Sequence, residues 1–441
     1  MNRSRRRTNA RHQLPHHLFT LSSTGPGDYA QFVQGLIAQF RRAVLAVALA
    51  VSPAYASADV LTEIARAKEA MAAGNHGEAI PHLSRMIESG TFNRSQLGAL
   101  FAIRCSMYVI IKEYDLAIDD CTVSLRLDDA GEFIPSQSKL AYLSRCVSYV
   151  EKELYDRAIE DCTTLIDSKD GVAPTLKDLG GAFSALCASH LGNGSYDQAI
   201  EDCTVAIGLA DAAAIKAPQL AAIYAARCEA YMGIRIGERA IADCTTAIEL
   251  SRSPYTYRTR GWANYSLGHT DEAIADFDQA LTLEPKDESA HFGRALTKYV
   301  TGEFDPAIRE FSWLRDANGS YAYYALWLFL ASERSQNSGD KDLVAFATNS
   351  DADDWPGAVI AYYLGRLSSS DVFALAQDAE SENDEDQLCE AYFYVGQFKL
   401  LTGEQLEALG MFKKADETCP DDFIEPAVAR AEVRSLRALP E

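Results

Sequence analysis

The chain has 441 residues, and its 63 Asp and Glu outnumber its 41 Lys and Arg, for a formal net charge of −22. So acidic a surface repels nucleic acid and anionic lipid, which excludes nucleic-acid binding and favours protein or peptide partners that are neutral or basic. Ten cysteines, an even set, are compatible with disulfides wherever the compartment is oxidising.

Residues 41–56 read Arg-Arg-Ala-Val-Leu-Ala-Val-Ala-Leu-Ala-Val-Ser-Pro-Ala-Tyr-Ala. A charged pair, an apolar stretch of nine residues and an Ala-x-Ala end form the pattern of a secretory signal with cleavage after Ala56. The stretch is too short to span a bilayer. The flanks of Arg41-Arg42 match a twin-arginine signal poorly, and both that route and the general secretory route stay open. No cysteine lies near the cleavage site, so no lipid anchor is expected. Residues 1–32 are rich in Arg and His with no periodic apolar pattern, which suggests a true start downstream, at Val33 or Leu36. The leader holds seven arginines and one aspartate, so the mature chain carries 34 basic and 62 acidic residues, a net −28. Export of this kind predicts a soluble periplasmic protein.

Eight of the cysteines form a lattice. Cys105, Cys146, Cys187 and Cys228 are 41 residues apart, as are Cys121, Cys162, Cys203 and Cys244, and the two within each unit are separated by 16. The segments before the second cysteine repeat as well: Tyr-Asp-Leu-Ala-Ile-Asp-Asp-Cys-Thr at 114–122, Tyr-Asp-Arg-Ala-Ile-Glu-Asp-Cys-Thr at 155–163, Tyr-Asp-Gln-Ala-Ile-Glu-Asp-Cys-Thr at 196–204 and a looser copy ending at Cys244. Later copies lose the cysteine, in Glu272-Ala273-Ile274-Ala275-Asp276-Phe277 and Pro306-Ala307-Ile308-Arg309-Glu310-Phe311. The anchor alanines are Ala79, Ala117, Ala158, Ala199, Ala240, Ala273 and Ala307, at steps of 38, 41, 41, 41, 33 and 34. Apolar residues recur at helical spacing, and a single helical hairpin cannot bury its apolar face, so neighbours must stack into an all-α solenoid.

This pattern resembles the tetratricopeptide repeat, a helix–turn–helix of about 34 residues. The residues that carry the resemblance are Gly261, Gly268, Ala273, Phe277, Ala280 and Pro285, and again Gly396, Gly403, Ala408, Phe412, Ala415 and Pro420. Seven extra residues in the 41-residue units amount to about two helical turns, which predicts longer helices or longer inter-repeat loops. The column Tyr108, Tyr149, His190 and Tyr231 reads as packing, with His190 a core histidine.

In an antiparallel helix pair, residues equidistant from the turn face each other. The midpoints of the four in-repeat pairs are 113, 154, 195 and 236, each in a predicted turn, and Cys389 with Cys419 straddles Glu404 beside Gly403. Axes about 8–10 Å apart with Cα radii near 2.3 Å leave about 3.4–5.4 Å between facing Cα atoms, within a disulfide's reach. The expected pairs are Cys105–Cys121, Cys146–Cys162, Cys187–Cys203, Cys228–Cys244 and Cys389–Cys419. A rival set, Cys121–Cys146, Cys162–Cys187 and Cys203–Cys228, also brackets loops but leaves Cys105 and Cys244 unpaired. Without Cys-x-x-Cys or a Cys/His cluster, nothing points to a metal.

Beyond Phe311 the repeat fades. Tyr321 to Ala331 is an apolar run too short to span a membrane and reads as a buried helix; Pro356 opens another helix through Tyr363-Leu364-Gly365. The run Asp378 to Asp386, with six acids, lacks the glycine of a calcium loop and reads as solvated. The last hairpin, 388–420, and a closing helix near 423–437 follow. Leu326-Trp327-Leu328-Phe329-Leu330-Ala331, Tyr362-Tyr363-Leu364-Gly365 and Glu390-Ala391-Tyr392-Phe393-Tyr394-Val395-Gly396-Gln397 are similar to the NlpI family of periplasmic tetratricopeptide lipoproteins, over roughly residues 255–438. The resemblance implies an adaptor for envelope hydrolases or proteases that forms homodimers. This chain departs from it by lacking the lipid-bearing cysteine and by adding cysteine-paired repeats in front.

The expected domains are the leader 1–56, a repeat array 57–317 (41-residue units over about 95–250, shorter ones over about 251–317) and a helical region 318–441. The resemblance places Ala102, Ser106, Leu143, Val147, Ser184, Ala188, Ala225 and Glu229 on the concave surface of the cysteine units, and Arg258, Trp262, Phe292, Leu296 and Tyr299 on that of the later ones. The last five, being Arg and large apolar or aromatic types, are the expected partner anchor. No Gly-rich phosphate loop, His-Glu-x-x-His or Gly-x-Ser-x-Gly is present, so no catalytic, metal or cofactor residue is expected. The leading reading is a non-enzymatic periplasmic scaffold. The alternatives are a thiol-redox-responsive envelope protein using the paired cysteines and, further off, a hydrolase.

Overall fold

The computed structural model describes residues 58–128, 135–168, 173–317, 322–337, 339–347, 355–377, 384–419 and 424–437. The leader with its cleavage point after Ala56, the alternative starts, Tyr321, residues 378–383 of the acidic run, Pro420 and residue 423 lie outside them. The described residues form 22 helices and no strand. The chain divides between 252 and 253 into two compact units.

The N-terminal unit is a stack of helical hairpins: α1 (Ala58–Ala73) with α2 (His76–Glu88), α3 (Arg94–Ile110) with α4 (Tyr114–Asp128), α5 (Pro135–Glu151) with α6 (Tyr155–Ile166), and α7 (Leu176–Gly192) with α8 (Tyr196–Gly208). After the one-turn α9 (Ala210–Ala213) comes α10 (Ala217–Gly233) with α11 (Gly237–Leu250). The extra length of the 41-residue units is spent in both ways the sequence allowed. Their first helices have 17 residues, against 14 and 13 in the shorter repeats, and the links between units are longer, one of them holding α9.

Local signals set the helix ends. Asn93 with Gln96 and Thr175 with Asp178 make reciprocal capping boxes that satisfy first-turn N–H groups. Each of the four cysteine-bearing hairpins turns in three residues through one left-handed position: Lys112, Glu153, Gly194 and Arg235, 41 residues apart. The chain closes each turn with the same bond, from the N–H of Glu113, Leu154, Ser195 or Ile236 to the carbonyl of Tyr108, Tyr149, His190 or Tyr231. Every anchor alanine from Ala79 to Ala307 is fully buried, because only a methyl group fits where the two helices approach most closely.

The C-terminal unit contains α12 (Pro254–Leu267), α13 (Thr270–Leu283), α14 (Glu288–Val300), α15 (Phe304–Ala317), α16 (Ala322–Arg334), α17 (Asp340–Ala347), α18 (Gly357–Tyr363), α19 (Ser369–Ala376), α20 (Asp384–Leu401), α21 (Gln405–Thr418) and α22 (Glu425–Arg437). The division at 252/253 falls where the 41-residue units give way to the shorter ones, and it groups the two 34-residue repeats with the helices that follow. The reason is an aromatic core that runs through them. Trp262 contacts Phe277 and Phe292, Phe292 contacts Trp327, and Trp327 contacts Phe393 on α20, with centroids 5.5–6.5 Å apart. Gly261 and Gly293 make room for the Phe277 ring, since a Cβ there would come within 2.8 and 2.3 Å of it.

Candidate functional site

The cysteines face each other across the hairpins, where turn symmetry places them. Sγ atoms of Cys105 and Cys121, Cys146 and Cys162, Cys187 and Cys203, and Cys228 and Cys244 lie 2.04–2.10 Å apart, and those of Cys389 and Cys419 lie 2.07 Å apart. The arrangement brings none of the between-repeat pairs together, and all ten side chains are buried.

Beside each cysteine pair in the N-terminal unit runs a charged rung that the sequence reading did not single out. Arg104 grips both oxygens of Asp120 at 2.7 and 2.8 Å and reaches Ser84 Oγ of the preceding hairpin at 2.8 Å. Arg145 does the same with Asp161 (2.7 and 2.7 Å) and Thr122 (3.0 Å), and Arg227 with Asp243 (2.7 and 2.9 Å) and Thr204 (2.9 Å). The arginines also stack between aromatic rings on their own helix: Phe101 and Tyr108, Tyr142 and Tyr149, Tyr224 and Tyr231. The third unit breaks the pattern. Leu186 stands where arginine would be, and His190 Nδ1 lies 2.6 Å from Asp202 Oδ2 instead. His190 is thus half-buried and carboxylate-paired within the packed column. The signal was in the sequence, as Arg-Cys at 104–105, 145–146 and 227–228 and Asp-Cys at the second position of every unit.

Electrostatics makes the rung a geometric fixture more than a source of stability. The hydrogen bond to Asp120 holds the Arg104 guanidinium above its usual range. Burial nevertheless pushes the Asp120 carboxyl up, with the arginine only partly offsetting it. Pairing and desolvation therefore oppose each other, as is usual for buried ion pairs. What the bidentate grip adds is register between a helix, its hairpin partner and the previous repeat.

A second staple joins neighbouring repeats. Tyr114 donates to Glu151 at 3.0 Å. In the next two units the equivalent tyrosines press on glycines: a Cβ on Gly192 would come within 2.3 Å of Tyr155, and one on Gly233 within 2.6 Å of Tyr196.

The expected concave face is not a surface. Ala102, Ser106, Leu143, Val147, Ser184, Ala188 and Ala225 are buried and Glu229 is half-buried. Successive first helices (α3, α5, α7, α10) pack on one another, and their small residues disappear into that contact. The partner anchor needs the same correction. Arg258 is buried and paired with Asp287 at 2.6 Å, and Trp262 donates to Ser289 at 3.1 Å. Phe292 and Leu296 are fully buried, and Tyr299 donates to Gln397 of α20 at 3.0 Å. These five residues hold the C-terminal unit together; its own later helices take up the face that a ligand was expected to use.

Exposed instead are the outer faces of the second helices of the N-terminal unit. Asp115, Asp156, Asp197 and Glu238 form one column at 41-residue spacing, and Asp119, Glu160 and Glu201 a second one turn further on. Among the described residues no group of three or more His, Cys, Asp or Glu is placed to hold a metal ion, and no helix is long and apolar enough to cross a membrane.

The tetratricopeptide repeat family profile matches residues 254–287. A lipoprotein NlpI homolog of Haemophilus influenzae is 28% identical over 170 residues, which is 38% of this chain and 54% of that protein, so the chain spans about half the length of this curated relative. Among solved structures, apo RapI aligns with a TM-score of 0.53 at 10% identity, covering 82% of this chain and 99% of that one. The apo form of the quorum sensor NprR from B. thuringiensis aligns with a TM-score of 0.52 at 11% identity, covering 82% and 98%. These two likenesses speak for the fold alone. Helical hairpins are stacked in both units, and the chain carries a tetratricopeptide repeat of the expected length at 254–287 and is similar over part of its length to a lipoprotein NlpI homolog.

Proposed function

We propose that the chain is a non-enzymatic protein-binding scaffold of the periplasm, whose cystine-clamped N-terminal hairpins present an acidic second-helix face to a neutral or basic partner. The observation that carries the reading is the repetition of exposed carboxylates, in register, on hairpins that are each closed by a cysteine pair at bonding distance. Regular charge on a stiff frame attracts an oppositely charged surface at little entropic cost. The cysteine pairs support an oxidising compartment, and the likeness to an NlpI lipoprotein supports an envelope role, with envelope hydrolases or proteases as the partner class.

The test is capture from a periplasmic extract on oxidised protein lacking residues 1–56, with the bound proteins identified by mass spectrometry. Basic or neutral hydrolases or proteases are expected, with retention falling as salt screens the face. The triple variant Asp119→Asn, Asp156→Asn, Glu160→Gln should melt like the parent and retain less partner. Retention indifferent to both salt and the variant would remove the acidic face from recognition. A bound set without hydrolases or proteases would remove the partner class. Sedimentation of the same sample reads the homodimer that the NlpI likeness implies.

A further inference from the structure

The C-terminal unit closes around two carboxylates that have no cation of their own. Glu390 on α20 and Glu425, the first residue of α22, are both buried. Glu390 Oε2 accepts hydrogen bonds from Tyr323 Oη at 2.7 Å and Trp355 Nε1 at 2.8 Å. Glu425 Oε1 accepts a long one, 3.4 Å, from Tyr394 Oη, and its Oε2 is buried without a hydrogen-bond partner. Tyr394 lies one turn along α20 from Glu390, so a single helix addresses both carboxyls. Neither glutamate belongs to an ion pair among the described residues. Two ionised carboxylates in so dry a place would repel each other at a high desolvation cost; a proton removes that charge.

We propose that the Glu390–Glu425 pair is a proton-dependent latch: carrying a proton, it holds α22 against α21, α20 and α14, and losing it lets α22 go. The groups around the pair fit this role. Tyr323 comes from α16, Trp355 from the segment before α18, and Tyr394 from α20. Asp386, also on α20, adds negative charge that disfavours ionisation of Glu390. Tyr363 of α18 is spent on the Tyr394 carbonyl. From α12, the buried Tyr265 feels the Glu425 charge, and Arg430, Glu432 and Arg434 of α22 also act on it. Glu432 has a cation of its own, Arg334 of α16 at 2.9 Å, and lies close enough to Tyr299 of α14 to act on it. Arg430 of α22 is paired with Asp416 of α21 at 2.6 Å, and among the described residues no ion pair joins an α22 arginine to Glu390 or Glu425.

Burial, first, and then mutual repulsion push Glu425 well above the usual carboxylate range, and burial does the same for Glu390, both toward neutrality. A carboxyl raised in the folded state contributes stability that is fully present below its unfolded value of 4.5 and is lost as pH rises through the folded value. Docking of α22 should be tightest in mild acid and loosen above neutrality, uncovering Tyr265 and Tyr299 on the face beneath. Hydrogen exchange of the full chain at about pH 6 and about pH 9, corrected for intrinsic rates, tests this. Protection of α22 amides is expected to fall by up to about tenfold per pH unit for each proton released, while α3 to α8 stay protected. Glu425→Gln, which has the shape of the protonated acid, should keep α22 protected at the higher pH, and Glu390→Gln should do the same. Equal α22 protection of the parent at both pH values overturns the proposal, as does a pH dependence that survives in the variants. Failure of both amides to fold also counts against it, because each mimics the form said to be stable.

Discussion

Arg145 is bound to Asp161 by two hydrogen bonds, stacked on Tyr142 and Tyr149 and bonded to Thr122 of the preceding hairpin. Removing it leaves a buried carboxylate without its cation, so Arg145→Ala should cost about 2 kcal/mol in urea unfolding, although the intact pair contributes little net. Arg145→Leu combined with Tyr149→His copies the third unit, where Leu186 and His190 stand in those columns, and should recover part of the loss. Two glycines offer an equally local contrast. Gly233→Ala drives a methyl group into the Tyr196 ring and should cost about 1–3 kcal/mol. Gly410→Ala, within α21 and with nothing in reach of the new Cβ, should raise stability by about 0.5–1 kcal/mol through helix propensity alone. Phe292→Ala should lower stability by about 3–5 kcal/mol because it empties the centre of the aromatic core. Any loss of partner capture by that variant should therefore track its melting.

At the scale of the hairpin, clamp and turn act on different states of the chain. A cystine closing a loop of this size limits the unfolded ensemble, and the double variant Cys146→Ser/Cys162→Ser should lose about 3 kcal/mol. A peptide map of unreduced protein gives the pairing directly: fragments joining Cys121 to Cys146 would replace the in-hairpin set with the between-repeat one. Turns are a separate reserve. Glu153 takes the left-handed conformation that Gly194 takes in the next unit, and a side chain there costs about 1 kcal/mol. Glu153→Gly should raise the urea midpoint without changing the slope. The sequence disclosed the turns and their positions, because turn geometry is local. It did not disclose which face of each first helix would remain outside. Ala102, Ser106 and their equivalents were expected on a lining because the resemblance places them there. They are covered in a stack where α3, α5, α7 and α10 pack against one another.

For the molecule as a whole, the repeat period, the all-helical class and the matched cysteine positions could all be read from one sequence. Each is written in spacing, and spacing survives without coordinates. The acidic columns and the Arg-Cys and Asp-Cys dipeptides were equally visible, though only contacts between helices gave the rungs their meaning. What the tertiary structure alone decided is where the compact units part and which residues remain free to meet a partner. The units part at 252/253, and Phe292 and Trp327, on helices to either side of 317/318, share one core. Arg258 and Trp262 are enclosed by the start of the next repeat, through Asp287 and Ser289, while Phe292, Leu296 and Tyr299 are buried in a core to which Trp327 and Gln397 come from much later in the chain. The Glu390–Glu425 pair has the same origin: two ordinary glutamates in the sequence become a proton-bearing pair only when Tyr394 and the first turn of α22 meet in the interior. Periodicity determines which face of a helix is apolar, but burial is a sum over neighbours distant in sequence, and that sum exists only in the folded chain.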